Sequence, residues 1–287
     1  RLDYKFPFLP ELKANLNMGY DYSKGEGVQV YAVDAAPQAL NKLQNIPYSQ
    51  EKTNKLFDFY LNYNKDFKSI ESNVDATAGY TYQDFYSNIG NFPTYNTDGT
   101  VVTREASPYP NKQQNTLVSF FGRLNYTFKE KYLLQASMRA DGSSKFAKDN
   151  RWGYFPTVSG AWKINLENFM KDSRTISDLK LRAGWGITGQ QDGIANYSYI
   201  PVYALSTPTA QYQLGDAFYQ MYRAVAYDAN IKWEQTESVN IGLDFGVLNN
   251  RITGTLDFYN KNTSNLLNNI PISAGSNFSN MLTTNVG

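Results

Sequence analysis

From Leu12 to Tyr22 the chain alternates with a period of two. Leu12, Ala14, Leu16, Met18, Tyr20 and Tyr22 fall on one side, and Lys13, Asn15, Asn17, Gly19 and Asp21 on the other. A β-strand sends successive side chains to opposite faces, whereas a helix would scatter these residues around its axis. The pattern returns with Phe57, Phe59, Leu61 and Tyr63, with Val74, Ala76, Ala78, Tyr80 and Tyr82, and with Val118, Phe120, Leu124, Tyr126 and Phe128. It continues through Tyr132–Ala140, more weakly through 152–164 and 179–187, and strongly through Val239–Val247 and Ile252–Phe258. The expected fold class is therefore all-β.

The connections narrow the choice further. Short links are expected around Asn64-Lys65-Asp66, Lys129-Glu130-Lys131 and Asn249-Asn250-Arg251. Long loops are expected near 23–54, 84–115, 188–232 and 261–280. A medium loop near 141–151 and a link over 165–178, in which Leu166–Lys171 suits a helical turn, are the imperfect cases. Alternating short turns and long loops is what an antiparallel up-and-down barrel produces as it crosses a membrane, turns inside and loops outside. Alternating stretches of about 9–14 residues suit tilted crossings better than the globular norm of about 5–6.

Composition excludes several function classes. The 287 residues include no Cys and no His, which removes disulfides, Cys/His zinc sites, a Cys nucleophile and the Ser-His-Asp arrangement. A net charge of +1 gives no electrostatic footprint for nucleic acid. Aromatics reach 15%, led by 23 Tyr. With the first strand running outward, Tyr20, Tyr22, Tyr80, Tyr82 and Trp185 fall near the outer rim. Tyr63, Tyr126, Phe128, Tyr132, Trp162 and Phe245 collect near the inner one. Two aromatic rings with aliphatics between them are the girdles of outer-membrane barrels. Mean hydropathy is low at −0.52, as it must be where only alternate residues face lipid. About nine or ten strands would leave an open edge in the bilayer, so the sequence is read as part of a larger barrel.

Specific blocks carry a family resemblance. RADGSSKF over 139–146, NRWGYFP over 150–156 and SGAW over 159–162 resemble SusC-like (SusC/RagA) TonB-dependent receptors of Bacteroidetes. So do LKLRAGWGITGQ over 179–190, WEQTESVNIGLDF over 233–245 and NRITG over 250–254. The resemblance implies a 22-stranded transmembrane β-barrel in a Gram-negative outer membrane, plugged by an N-terminal domain and capped by a SusD-like lipoprotein. It also implies import of oligosaccharides or peptides, driven through TonB. The plug and its TonB contact are not in this sequence.

Candidate sites are few. Gly184–Gly189 matches G-x-G-x-x-G, but Gln190-Gln191-Asp192-Gly193 follows instead of a helix, so no nucleotide is expected and the glycines are read as letting the strand top bend. The pairs Glu234/Glu237 and Asp141/Asp149 are read as solvated or lumenal charges rather than a glycosidase dyad. No catalytic, cofactor or metal residue is expected, and the chain is not read as an enzyme. Candidate cargo or partner contacts are Phe85, Tyr86, Phe92, Tyr95 and Tyr109 in one long loop. A second set is Tyr197, Tyr199, Tyr203, Tyr212, Phe218, Tyr219 and Tyr222 in another. Aromatic faces stack on sugar rings and apolar side chains, although such residues equally pack loops together or against a partner. Arg123, Arg139, Lys180 and Arg182 are expected to face the lumen, as substrate or plug contacts or simply as polar lining. Two alternatives remain open: a passive porin-like or structural barrel, and a soluble carbohydrate-binding β-sandwich.

Overall fold

The computed structural model describes residues 1–31, 45–96, 99–170, 173, 175–206, 211–273 and 281–287. Ten strands follow one another as an antiparallel meander, each hydrogen-bonded to the next in sequence. They are β1 (Leu2–Lys5), β2 (Leu12–Val30), β3 (Asn45–Phe67), β4 (Ser72–Ile89), β5 (Asn111–Phe128), β6 (Tyr132–Ser143), β7 (Trp152–Lys163), β8 (Ile176–Gln190), β9 (Glu234–Val247) and β10 (Ile252–Ser264).

The turns follow local chemistry. Between β9 and β10, Leu248, Asn249 and Asn250 all take positive φ, which Asn tolerates better than most residues. Lys129 and Glu130 do the same between β5 and β6. The expected turn at Asn64–Asp66 lies elsewhere. The ladder continues through Phe67, a short 3-10 turn fills Lys68–Ile70, and Glu71 takes φ 49°. Asn64 stays in register because its N–H reaches Glu11 O at 3.0 Å and its amide reaches Asp75 at 3.0 Å.

Strand ends also differ from the alternation. β3 has 23 residues and β2 has 19, far beyond the roughly 9–11 needed to cross the hydrocarbon layer. Much of the expected loop at 23–54 is therefore ladder, and its remainder at 32–44 lies outside the described residues. Strand likewise occupies 84–89 and 111–115. β1 was not expected, since it is only four residues long and the Pro7–Pro10 stretch follows directly; it pairs with β2 through Leu2↔Leu16 to Lys5↔Lys13.

The chain divides into two compact units, Arg1–Leu16 with Phe59–Tyr80 and Val118–Gly287, and Asn17–Asp58 with Thr81–Leu117. In the second unit polar pairs knit the strand ends: Asn54 to Asp21 at 3.1 Å, Gln50 to Ser87 at 3.3 Å, and Gln114 and Thr116 both to buried Asp84.

The first unit is a wall with two unlike faces. On one, Leu134 opposes Gly160, Leu181 opposes Trp162 and Leu243, Ala183 opposes Ile241, and Ile241 opposes Phe258. These side chains are exposed: Leu134 by 56%, Ile241 by 49% and Phe258 by 70%. On the other, Gln135 opposes Ser159, Ser137 opposes Thr157, and Lys180 opposes Lys163 and Asp244. A water-soluble sheet buries its apolar face; this one presents it.

Aromatics bound that apolar face at two levels. Tyr80, Phe120 and Trp152 form a chain at centroid distances of 5.2 and 6.1 Å. Phe128, Tyr132 and Trp162 stack at 6.1 and 6.4 Å. Eight residues of β5 separate Phe120 from Phe128, about 27 Å along the strand and about 21 Å of depth at a tilt near 40°. The apolar band of a membrane barrel is about 25 Å tall.

Candidate functional site: the polar wall and the outer loops

Alternation places the four basic residues singled out from sequence on the polar face, and the structure gathers them into two groups. Arg182 grips Asp244 with two bonds, Nε to Oδ2 at 3.0 Å and Nη2 to Oδ1 at 2.8 Å, and also reaches Asp257 at 3.0 Å. Lys180 approaches Asp244 at 3.5 Å, and Thr255 donates to the same carboxylate at 3.2 Å. This cross-strand network lies along a hollow of about 500 Å³, whose wall also includes Asn125, Gln135, Ser159 and Asn240. Gly242 provides the room, since a Cβ there would overlap Asp257 and the Arg182 guanidinium.

In the other group, Arg139 holds Asp141 at 2.7 and 2.9 Å and donates to fully buried Ser119 at 2.8 Å. Its guanidinium lies 6.0 Å from the Phe121 ring. Arg123 and Arg139 share a cavity of about 600 Å³ with Lys13, Asn15, Asn62 and Thr77. Asp75 holds the neighbouring amides of Asn62, Asn64 and Asn125 at 3.0–3.4 Å. Such a surface offers both signs of charge and many amides, the chemistry that meets hydroxyls or peptide groups without a reactive centre.

Glu234 and Glu237 take different partners. Glu237 accepts the Trp185 indole N–H at 2.6 Å, while Glu234 accepts the backbone N–H of Leu267 at 2.9 Å. The Gly184–Gly189 stretch lies within β8, and no helix follows it. Two of its glycines are closely packed: a Cβ at Gly189 would overlap the Phe155 ring, and one at Gly186 would press on Thr157.

The loop aromatics belong to two stretches of the chain. Phe85 and Tyr86 belong to β4, Phe92 and Tyr109 are exposed nearby in sequence, and Tyr95 lies in a two-residue strand. Asn91 donates to Tyr109 O. In the other loop, Tyr203–Leu205 pairs with Tyr222–Ala224, and Tyr212–Leu214 pairs with Ala217–Tyr219. Tyr212 directly opposes Tyr219, so two exposed rings share one ribbon face, with Phe218 on the other. Tyr197 takes φ 64° and is exposed, whereas Tyr199 is half-buried.

Two features escaped the sequence reading. The first is an aromatic core on the polar side near the outer rim. Phe146 (0% exposed) packs against Trp233 at 4.9 Å, and Trp233 meets Phe155 edge-on at 5.5 Å, with Ile194 and Ile231 also buried. The Trp233 indole donates to Arg151 O at 3.1 Å, and Asn150 donates to Asn230 O at 2.9 Å. The readable signal was Phe155, an apolar residue in a polar register. The second is Glu167 at the opposite rim, which accepts from Tyr132 at 2.6 Å, Lys131 at 3.0 Å and Trp162 at 3.1 Å. The Tyr132 hydroxyl, then Lys131 and Trp162, lower its pKa to about 2. Just before β2, Glu11 pairs with Lys65 of β3 at 3.0 Å, which holds the Glu11 carboxyl below its ordinary value.

The family model described as TonB dependent receptor-like, beta-barrel, matches residues 1–287. The chain belongs to the TonB-dependent receptor β-barrel family. Barrels of this family are outer-membrane proteins. The TonB-dependent receptor SusC of Bacteroides thetaiotaomicron is 42% identical over 293 residues, covering all of this chain and 28% of that receptor. TonB-dependent receptor P3 of Formosa agariphila is 36% identical over 75% of this chain and 22% of its own length. The chain thus spans about a quarter of the curated relatives it matches. Among solved structures, the RagAB peptide transporter superposes with a TM-score of 0.74 at 23% identity, over 96% of this chain and 30% of that one. The copper transporter OprC gives 0.54 at 14% identity. These likenesses support the antiparallel barrel fold. The curated relatives are named as receptors, not enzymes.

Proposed function

We propose that this chain is part of the wall and the outer loops of a SusC-like outer-membrane importer. It takes up oligosaccharides or peptides with a SusD-like surface lipoprotein, using energy relayed by TonB through a plug. The observation that carries the reading is the two-faced wall: an exposed apolar face bounded by aromatic rings, backed by a polar face that carries hollows and side chains of both charge signs. The apolar face suits lipid, and the polar face suits a wet lumen through which hydroxylated or amide-rich cargo passes. The exposed rings of Tyr203, Tyr212, Phe218, Tyr219 and Tyr222, with Phe85, Phe92 and Tyr109, are read as cargo or lipoprotein contacts outside that lumen. Arg123, Arg139, Lys180 and Arg182 are read as lumen lining, the last three with their charges largely neutralised by Asp141, Asp244 and Asp257.

The test is purification of the native protein in mild detergent with mass spectrometry of its companions, alongside growth of a deletion strain on single glycans and on peptides. A surface lipoprotein arriving with the barrel, and loss of growth on one cargo class, support the reading. A barrel that purifies alone, with growth unimpaired on every cargo, replaces it with a passive or structural role.

A further inference from the structure

The cavity of about 600 Å³ on the polar face has an unbalanced lining. It is bordered by three cations: Lys13 on β2, Arg123 on β5 and Arg139 on β6. Arg139 is balanced by Asp141 at 2.7 Å. Among the described residues, neither Lys13 nor Arg123 forms an ion pair. Lys5 lies directly opposite Lys13 across β1 and β2 and adds charge of the same sign. The carboxylates nearby are engaged elsewhere. Asp3, opposite Asn15 in register, is held by Arg1 at 3.0 Å, and Glu11 is held by Lys65. Asp75 acts on Arg123 through space, but both its oxygens accept from the amides of Asn62, Asn64 and Asn125 at 3.0–3.4 Å.

A second observation points into the same cavity. Asn15 is only 8% exposed, yet its side chain makes no hydrogen bond to a described residue. A buried amide without a partner is costly, and such groups are rare in folded chains. This one borders the cavity, where a bound group would satisfy it. Two cations and an amide around one space form a site for an oxyanion, and a guanidinium fork matches a carboxylate in particular. The rings of Tyr60 and Phe121, 6.5 Å apart, border the same space and offer an apolar surface beside the charges. Strands β2 to β6 are each hydrogen-bonded to a neighbour on both sides. No free strand edge is therefore present there for a peptide backbone to join, whereas rings, amides and cations together suit an acidic sugar.

We infer that this cavity is a subsite for the carboxylate of a sugar acid, a hexuronate unit of an acidic oligosaccharide. The carboxylate sits between Lys13 and Arg123, the Asn15 amide meets a ring hydroxyl, and the C–H face of the sugar lies against Tyr60 and Phe121. The inference deepens the importer reading and rests on it, by naming the charge of the cargo.

Saturation-transfer NMR on the full-length receptor in detergent would use glucuronate, its neutral methyl ester and triglutamate as probes. Glucuronate should bind about tenfold more tightly than the ester, the advantage of a charge-assisted contact over a neutral one. Lys13→Gln and Arg123→Gln should each bring glucuronate down towards the ester. Asn15→Asp puts a carboxylate among the cations with little change of shape and should abolish the preference. Lys163→Gln removes the same charge from the polar face outside the cavity and should leave the preference intact. Equal binding of acid and ester, the result if a carboxylate of the plug already fills the site, overturns the assignment. So does an undiminished preference in all three cavity variants that still insert as heat-resistant barrels. Triglutamate bound more tightly than glucuronate, and lost in the same variants, replaces the sugar acid with an acidic peptide. None of these measurements involves transport, so failure of the lipoprotein to co-purify bears on the importer reading alone.

Discussion

Phe146→Ala isolates the aromatic core beneath the outer loops. Phe146 is completely buried and packs against Trp233, which itself touches Phe155. Truncating a buried Phe costs about 3–5 kcal/mol through lost transfer energy and the cavity left behind. The loss falls on loops 144–151 and 228–233, because the ladder of β6 to β9 is closed by its own backbone bonds and does not run through the ring. Local opening should thus become easier while global unfolding changes little. The assay is hydrogen exchange on the full-length receptor, with peptides covering those loops and, separately, the strand centres. Exchange in the loops should accelerate by about 10²–10⁴-fold, or until it reaches the rate of unstructured chain. Strand-centre exchange and barrel melting should stay near those of the parent. Unchanged loop exchange, or a loss spread evenly over β6 to β9, would refute the claim that this core fastens the loops.

Other consequences follow from the same geometry. Ile241 is eighth of the fourteen residues of β9, close to the middle of the apolar band, so Ile241→Arg should cost about 2–4 kcal/mol in reversible folding into liposomes. Asn240→Arg, one residue away on the polar face, should be nearly neutral in the same titration. Gly189→Ala should cost about 1–3 kcal/mol in that assay, because a Cβ there forces the nearly buried Phe155 ring off its seat; a neutral result would show that the ring yields without cost. Glu167 has a folded pKa of about 2 against an ordinary value of 4.5, so its contribution is complete above the ordinary value and disappears as pH falls from 4.5 towards 2. Exchange of the 164–170 link should rise over that window in the parent and become flat with pH in Glu167→Gln.

The alternation of Val239–Val247 was legible because lipid demands an apolar side chain at every second position, whatever the strand's partners. Where no such demand holds, the signal vanished. Gly25-Glu26-Gly27 lies within β2 yet shows no hydrophobic period, since its backbone bonds are satisfied by β3 rather than by burial. β1 is too short to show a period at all. The lumenal basic residues were readable one strand at a time, but their acidic partners were not. Arg182 meets Asp244 and Asp257 across 62 and 75 residues, through a register that only the folded sheet defines. Glu167 and Trp233 escaped for the same reason, each deriving its role from contacts made by neighbouring strands. The loop aromatics were visible as a concentration, but Tyr212 opposite Tyr219 is a pairing set by the turn at Leu214–Ala217.

The central claim is that one face of this wall meets lipid and the other meets water. This chain contains no cysteine, so single spin labels at positions 238, 239, 240, 241 and 243 would report each site without interference from it. In the full-length receptor reconstituted in liposomes, with any cysteines elsewhere replaced, collision rates with oxygen and with a water-soluble nickel chelate would be measured at each position. Labels replacing Val239, Ile241 and Leu243 should favour oxygen, and those replacing Ser238 and Asn240 should favour the chelate, in strict alternation. Chelate access at all five positions, or no alternation between them, would contradict a membrane-spanning barrel wall.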